Sequence, residues 1–287
     1  MRYRLLRFPE GKAKAVTFSY DDGVTHDIRL AKTCSRYGIK CTFNINSGFI
    51  AQESGGYKLT ADEIQTHLLD AGHEVAVHGD NHKALGLCSP VDGIKDVLDC
   101  RLALETLFGR IIRGMAYADS GIGNMANGAE YGNIRRYLQD LGIAYSRTLG
   151  GDNNQFRLPA DWYAWMPTAH HNNPNLFDWI DAFLALKPDE SYSSRRYPRL
   201  FYLWGHSYEF NNDQNWDRLE TICEKLGGQD DIWYATNIEI FDYIRAYDSL
   251  VFSADATRVY NPTLMTVWFN ADGKLITVAP GQTLVIE

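Results

Sequence analysis

The chain has 287 residues, and its 28 Lys and Arg residues against 36 Asp and Glu residues give a formal net charge of −8. With 45% hydrophobic and 22% charged residues, it is too apolar for an intrinsically disordered protein. No stretch approaches the roughly 20 apolar residues of a membrane span, and an acidic chain without a Lys- or Arg-rich run is unsuited to the phosphate backbone of nucleic acids.

The N-terminal residues bear on the cellular location, and the cysteines bear on whether the protein contains disulfides. The N-terminal residues lack the apolar segment of a secretory signal peptide, so we expect a cytoplasmic protein, or a secreted or periplasmic one if a leader has been removed. Five cysteines at irregular spacing, without a Cys-x-x-Cys motif, predict buried free thiols rather than disulfides or a thiolate zinc site.

Between Lys14 and about Asp248, short β-branched or aromatic runs alternate with amphipathic stretches. In chain order, we predict strand 15–18, helix 27–37, strand 41–45, helix 60–72, strand 74–77, helix 90–109, a strand from 111 onward, helix 133–141, strands 143–145 and 162–166, helix 175–186, strand 200–203, helix 216–226, strand 232–235 and helix 238–247. Seven or eight strand–helix units joined by short connections predict a parallel sheet flanked by helices, and the count favours a barrel-like arrangement. No Gly-x-Gly-x-x-Gly follows the first strand, which argues against a dinucleotide-binding fold.

The pattern changes after residue 248. Short strands are predicted at 251–253, 258–260, 264–270, 275–278 and 283–286, and Asp272-Gly273 between two of them is a strong hairpin signal. Residues 249–287, which we call the β appendage, are too few to fold alone. We therefore predict two parts, a barrel at 1–248 and the appendage packed on it.

Titratable side chains follow three of the predicted strands. Asp21 and Asp22 follow the first, His78 and His82 the third, and His206 comes after strand 200–203. Alone, the Asp pair is better explained as a turn or helix cap, and the two histidines are equally explained as unrelated loop residues. Because the carboxyl ends of parallel strands share one edge, the three groups are expected to meet there. One carboxylate with two imidazoles suits a catalytic metal with open positions for water.

These residues resemble motifs of the polysaccharide deacetylase family (carbohydrate esterase family 4, the nodulation-type deacetylase homology domain). Ser19-Tyr20-Asp21-Asp22-Gly23 is similar to the family's first motif, Thr-Phe-Asp-Asp-Gly. The run from His78 to His82 is similar to His-Ser/Thr-x-x-His, with Gly79 in place of the hydroxyl residue. The run Leu203-Trp204-Gly205-His206 is similar to Leu-x-His, with one extra residue.

The resemblance covers about residues 14–248 and implies an α/β fold, a distorted (β/α)7–8 barrel of the glycoside hydrolase and deacetylase type. It implies that Asp21 is the general base and His206 the general acid. It also implies one divalent metal ion held by Asp22, His78 and His82; zinc is favoured, with cobalt, nickel, manganese or iron as alternatives.

Two further motifs of the family match less closely. Arg113-Gly114-Met115-Ala116-Tyr117 stands where the family has Arg-x-Pro-Tyr/Phe, without the Pro and with one extra residue. The resemblance implies that Arg113 holds the base and that Tyr117 supplies a backbone N–H to the oxyanion. The fourth motif, an Asp–Trp pair that braces the catalytic histidine, has no clean match. The candidates are Asp152, Asp161 and Trp162.

The implied activity is the metal-dependent removal of acetyl groups from an N-acetylated or O-acetylated sugar or polysaccharide. The enzyme class is then a deacetylase, a hydrolase acting on carbon–nitrogen bonds other than peptide bonds. The expected partner is an acetylated glycan or amino sugar, with no nucleic acid and no membrane span. Substrate contacts are expected from Trp204, Tyr208 and His171. Two alternatives stay open, a same-fold metal hydrolase for a non-sugar amide or ester and a non-catalytic glycan-binding relative.

Overall fold

A computed structural model describes residues 3–149, 152–192 and 195–286. The strands are β1 (Arg4–Arg7), β2 (Lys14–Asp21), β3 (Cys41–Ile45), β4 (Glu74–Val77), β5 (Gly114–Ala116), β6 (Tyr145–Arg147), β7 (Ala169–His170), β8 (Arg199–Gly205), β9 (Ile232–Tyr234), β10 (Val251–Phe252), β11 (Arg258–Tyr260), β12 (Val267–Ala271), β13 (Lys274–Val278) and β14 (Thr283–Val285). The α-helices are α1 (His26–Arg36), α2 (Ala61–Ile64), α3 (Pro90–Phe108), α4 (Tyr131–Asp140), α5 (Leu176–Leu184), α6 (Ser207–Asn212), α7 (Trp216–Leu226) and α8 (Asn237–Asp248).

The main sheet is parallel, with strand order β6-β5-β4-β3-β2-β8-β7. β2 is its central strand, and all of its side chains are buried. β8 pairs along one edge of β2, whereas the other edge pairs first with β9 and then with β3. The sheet curls into a half-barrel with an apolar core between it and the helices. The predicted distorted barrel is confirmed in this form.

Local sequence signals set several helix boundaries. Thr60 and Thr236 each form a capping box with the Glu three residues later, which satisfies backbone N–H groups that have no partner within the helix. Gly109 ends α3 in the left-handed conformation that glycine adopts without steric cost. After α2, residues Gln65–Leu69 continue as a π-helix. In the described part of the chain, no helix is long and apolar enough to cross a membrane.

The prediction of a strand at 162–166 is wrong. Residues Trp162–Ala164 form a 3-10 helix, whose first turn is capped by the Asp161 side chain accepting a hydrogen bond from the Tyr163 amide. Only Trp165 pairs with the sheet, through a parallel bridge to Arg147. The true strand, β7, follows at Ala169–His170. Aromatic side chains pack well in a strand or in a buried turn, so the run of tryptophans misled the prediction.

The β appendage forms two antiparallel sheets, β1-β12-β13 and β10-β11-β14. The predicted hairpin is confirmed, because Asp272 and Gly273 both have positive φ between paired strands β12 and β13. The core of the appendage reaches Ala246 on α8. However, β1 pairs with β12 rather than with the barrel sheet, so this strand, which no sequence pattern predicted and which lies in the part assigned to the barrel, completes the sheet of the appendage.

All five cysteines, namely Cys34, Cys41, Cys88, Cys100 and Cys223, are free thiols. Four of them are buried, and Cys88 is partly buried. Burial raises the pKa of the Cys34 thiol far above its usual value, because the thiolate loses its hydration inside the core. The prediction of free thiols without a disulfide is confirmed.

Candidate active site

The site begins where β2 ends. Asp21 is its last residue, and Asp22 and Gly23 both have positive φ, at 85° and 60°. A left-handed backbone at a non-glycine residue costs of order 1 kcal/mol and persists where surrounding contacts enforce it. Here the Asp22 amide donates to the Asn44 carbonyl at 3.0 Å, and Lys58 donates to the Asp22 carbonyl at 2.6 Å. The turn therefore presents two adjacent carboxylates in different directions.

Asp22, His78 and His82 converge on one point. The Asp22 Oδ1 atom lies 3.3 Å from His82 Nε2 and 3.7 Å from His78 Nε2. The two histidines lie on an irregular loop in which Gly79 and His82 have positive φ. A Cβ at residue 79 would lie 2.3 Å from the Asp96 carboxylate, which accounts for glycine in place of the family's hydroxyl residue.

The chemistry of these three donors fits a divalent metal. The Nδ1 atom of His78 is 2.9 Å from the Ala116 carbonyl, so Nδ1 carries the proton and Nε2 keeps its lone pair. That Nε2 atom is buried and has no hydrogen-bond partner, which is costly for a polar atom without a ligand. The ligand atoms of Asp22, His78 and His82 lie within 4.8 Å of one another. One carboxylate and two neutral imidazoles suit zinc and similar cations.

Asp21 is held by Arg147, not by the predicted Arg113. The buried Arg147 guanidinium donates through Nη2 to Asp21 Oδ2, and Asn44 donates to Oδ1 at 2.8 Å. Burial alone would raise the pKa of Asp21, but the charge of Arg147 outweighs burial and lowers the pKa. Asp21 is therefore ionised at neutral pH, as a general base requires.

Arg113 lies elsewhere because of its position in the chain. It precedes β5 and therefore lies at the amino end of that strand, opposite to the edge that carries Asp21. Its guanidinium pairs instead with Asp242 on α8, at 2.7 and 2.9 Å. Arg147 is the last residue of β6, so it lies at the same edge as Asp21. The other site residues were selected because they are polar side chains at the carboxyl end of a strand. The same rule would have found Arg147.

The predicted oxyanion contact of Tyr117 is corrected as well. Its backbone N–H donates to the Arg147 carbonyl at 3.0 Å, because the pairing of β5 with β6 continues one residue beyond β5. The side chain is fully buried, and its hydroxyl donates to the Tyr163 carbonyl. An amide already paired within a sheet cannot donate to a reaction intermediate without breaking that pairing. Tyr117 therefore supports the fold beside the site.

His206 faces the same point from β8. Its Nε2 atom is 3.9 Å from Asp21 Oδ2, and its Nδ1 atom is 3.1 Å from Glu209 Oε1 on the first turn of α6. Burial opposes a charge on His206, but the hydrogen bond to Glu209 and the charge of Asp21 prevail and raise its pKa. A protonated imidazole braced through Nδ1 can donate from Nε2, as a general acid does.

Glu209 braces His206, a role for which the sequence motifs gave no clean match. The candidates Asp152, Asp161 and Trp162 all contact other residues; Asp152 binds Asn173, and Trp162 packs on Trp165 and Phe241. The signal for Glu209 was present, since residues three apart on a helix face one another. The other Glu209 oxygen lies 3.1 Å from His170 Nε2. The Asn172 amide donates to His170 Nδ1 at 3.1 Å.

The three predicted substrate contacts separate into two groups. Trp204 and Tyr208 are partly exposed beside His206, with ring centroids 5.8 and 5.1 Å from its imidazole. His171 is completely buried and stacks on Phe210 at 4.0 Å, so it cannot touch a substrate. Its ring also explains the extra glycine in this motif, since a Cβ at residue 205 would lie 2.0 Å from His171 Nδ1.

Comparison with known proteins concerns the family and the fold. Residues 8–145 match the family model described as polysaccharide deacetylase. The comparison with curated proteins gives no match. The resemblance to the polysaccharide deacetylase family is thereby confirmed, and so is the predicted enzyme class of a deacetylase acting on carbon–nitrogen bonds.

Solved structures of other proteins share the fold. The chain is similar to a putative polysaccharide deacetylase from Mycobacterium smegmatis, with 17% identity and a TM-score of 0.57 over 85% of this chain and 94% of that one. A family 4 carbohydrate esterase from Streptomyces lividans has 14% identity and a TM-score of 0.50, over 78% and 93% of the two chains. The carbohydrate esterase family 4 domain of a xylanase from the hindgut metagenome of Trinervitermes trinervoides has 12% identity and a TM-score of 0.50, over 82% and 92%. At these identities the likeness concerns the fold alone.

Proposed function

We propose that this protein removes acetyl groups from an N-acetylated or O-acetylated sugar or polysaccharide with the help of a divalent metal ion. The match of residues 8–145 to the polysaccharide deacetylase family supports the proposal. The observation that carries the proposal is the convergence of Asp22, His78 and His82 around the unpartnered His78 Nε2. Zinc is the favoured ion, because neutral imidazole and carboxylate ligands suit it, with cobalt, nickel, manganese and iron as alternatives.

The residues around that point divide the work of hydrolysis. When bound, the metal ion lowers the pKa of a coordinated water and polarises the acetyl carbonyl. Asp21, ionised beside Arg147, takes the proton of the attacking water. His206, held in its protonated form by Glu209, gives its Nε2 proton to the departing amine, or to the alkoxide of an O-acetyl ester. Trp204 and Tyr208 offer partly exposed aromatic faces on which a sugar ring can stack.

Metal content and acetate release, measured on the same preparations, test the proposal. The wild-type protein should bind one metal ion per chain and release acetate from acetylated chitooligosaccharides or acetylated xylan. His78→Ala should lose both properties, whereas Asp21→Asn should keep the metal and lose at least about 100-fold in rate. His67→Ala is the matched control, because His67 lies on the π-helical segment outside the site and should change neither property.

Different failures lead to different conclusions. A metal bound through His78, with no acetate released from any acetylated glycan, would favour a non-sugar amide or ester as the substrate. A protein that releases acetate at an unchanged rate after His78→Ala and after exhaustive chelation would refute the metal-dependent mechanism.

A further inference from the structure

A cavity of about 810 Å³ lies at the end of the sheet opposite to the candidate active site. It is bordered by Arg199, the first residue of β8, whereas His206 follows the last residue of the same strand. Seven strand residues at about 3.3 Å each separate the two ends by roughly 20 Å. The cavity is therefore distinct from the site that holds Asp21 and Asp22.

Three arginines border this cavity, and none has an acidic partner in the described part of the chain. Arg157, Arg195 and Arg199 all line it, and the lining contains no Asp or Glu. Glu190 lines an adjoining cavity together with Arg195, but the two side chains form no ion pair. Other arginines of this chain do find carboxylates, as Arg147 finds Asp21. Like charges placed together without a counter-charge repel one another, so the cavity favours an anion.

The segment that carries Arg157 is anchored to the rest of the fold. Asn153 accepts a hydrogen bond from the Arg157 amide at 3.2 Å and donates to the Arg157 carbonyl at 2.7 Å. The preceding Phe156 has a φ of 56° and is buried against Phe183 and Phe201. A non-glycine residue in this conformation stores strain, which its packing here sustains. The segment that carries Arg157 is thus fixed from both sides.

We propose that this cavity binds the phosphate monoester of a sugar-sized organic molecule. Guanidinium groups match phosphate oxygens in pairs, and a dianion balances three positive charges better than a single carboxylate does. The volume is far larger than a phosphate ion requires and lies in the range of cavities for small organic ligands. Phe156, Leu158, Leu186 and Tyr197 supply an apolar wall for the organic part.

The acid–base properties of Arg199 support this reading. Burial, followed by the charge of the neighbouring Arg157, lowers the pKa of the Arg199 guanidinium from its usual value. Both effects make the positive charge less favourable in the free protein. A bound phosphate would relieve them, because it supplies the missing negative charge beside both guanidinium groups.

Calorimetric titration at low ionic strength tests the proposal with four probes, namely glucose 6-phosphate, inorganic phosphate, glucuronate and glucose. We expect glucose 6-phosphate to bind more tightly than inorganic phosphate or glucuronate, and glucose not to bind. Arg157→Gln and Arg199→Gln should each weaken glucose 6-phosphate binding by about tenfold or more, since each removes charge-assisted hydrogen bonds. Arg110→Gln is the control, because Arg110 is an exposed arginine away from the cavity and should leave binding unchanged.

The location is tested by a variant of the catalytic site. Asp22→Asn should bind glucose 6-phosphate as the wild type does, whether or not the chain proves to be a deacetylase. Equal affinity for inorganic phosphate would overturn the organic part of the proposal, and tighter binding of glucuronate would overturn the choice of phosphate. No binding of any anion, or unchanged binding in Arg157→Gln and Arg199→Gln with unaltered circular dichroism, would overturn the site itself.

Discussion

The ion pair between Arg147 and Asp21 allows a direct test of how the candidate base is held. Both side chains are almost completely buried, at 0% and 2% exposure. Arg147→Met removes the cation and leaves the Asp21 carboxylate in the interior without its counter-charge. Breaking a buried pair in this way costs about 3–5 kcal/mol, and the lost contact of Arg147 with the Trp204 ring, at 4.5 Å, adds to it.

Arg113→Met is the matched control for this substitution. Its ion pair with Asp242 has the same chemistry, but the two side chains are 36% and 39% exposed. Solvent screening limits such a pair to about 0–1 kcal/mol. Urea denaturation should therefore show a large loss of unfolding free energy for Arg147→Met and a small one for Arg113→Met.

Activity and a double variant complete the test. Without its cation, the pKa of Asp21 should rise and the carboxylate should become a less available base, so acetate release should fall at least about 100-fold in Arg147→Met and little in Arg113→Met. The double variant Arg147→Met/Asp21→Asn should be more stable than Arg147→Met alone, because the unpaired buried charge is gone. Equal losses of stability and activity in Arg113→Met and Arg147→Met would refute this assignment.

Three further predictions concern the surroundings of the site and a buried carboxyl group in the barrel. Glu209→Gln removes the negative charge that braces the general acid His206. The kcat for acetate release should therefore fall roughly tenfold or more, with the metal content unchanged. An unchanged kcat would contradict the bracing role. Gly205→Ala should lower the unfolding free energy by about 1–3 kcal/mol through the clash with His171. Its control is Gly132→Ala, which lies in a helix with open space around its Cβ position and should be neutral or slightly stabilising. Equal losses of unfolding free energy in the two variants would argue against the clash. Burial raises the pKa of Glu74 from 4.5 to about 7, so the folded protein retains a proton there that the unfolded chain releases. Stability should then decline by about 3 kcal/mol as pH rises from about 4.5 through 7, and Glu74→Gln should remove that decline in urea titrations at several pH values.

Much of the candidate site was predictable because its residues obey a local rule. Asp21 ends a strand that is recognisable from its own sequence, and Asp22, His78, His82 and His206 follow such strands. Parallel strands place their carboxyl ends at one edge, so the residues after them meet without any knowledge of side-chain packing. Helix boundaries were predictable for a similar reason, since a capping box such as that at Thr60 is formed by neighbouring residues.

The partners of these residues were not predictable in the same way. Which arginine reaches Asp21 depends on whether it stands before or after its strand, and the family motif pointed to Arg113 at the wrong end of β5. The Tyr117 amide is paired because β5 and β6 continue in register, a property that the sequence of neither strand specifies alone. A histidine can serve as a substrate contact or as a core residue, and the sequence did not reveal that the His171 side chain lies in the core.

The sequence by itself determined the alternation of strands and helices, the hairpin at Asp272 and the edge of the sheet where the ionisable residues gather. These follow from periodicity and from backbone preferences that act over a few residues. Only the tertiary structure decided that β1 joins β12, that Arg147 holds Asp21 and that three arginines border one cavity far from the site. Each of these joins residues distant in the chain, and such contacts depend on strand register, strand order and burial, which form together only when the whole chain folds.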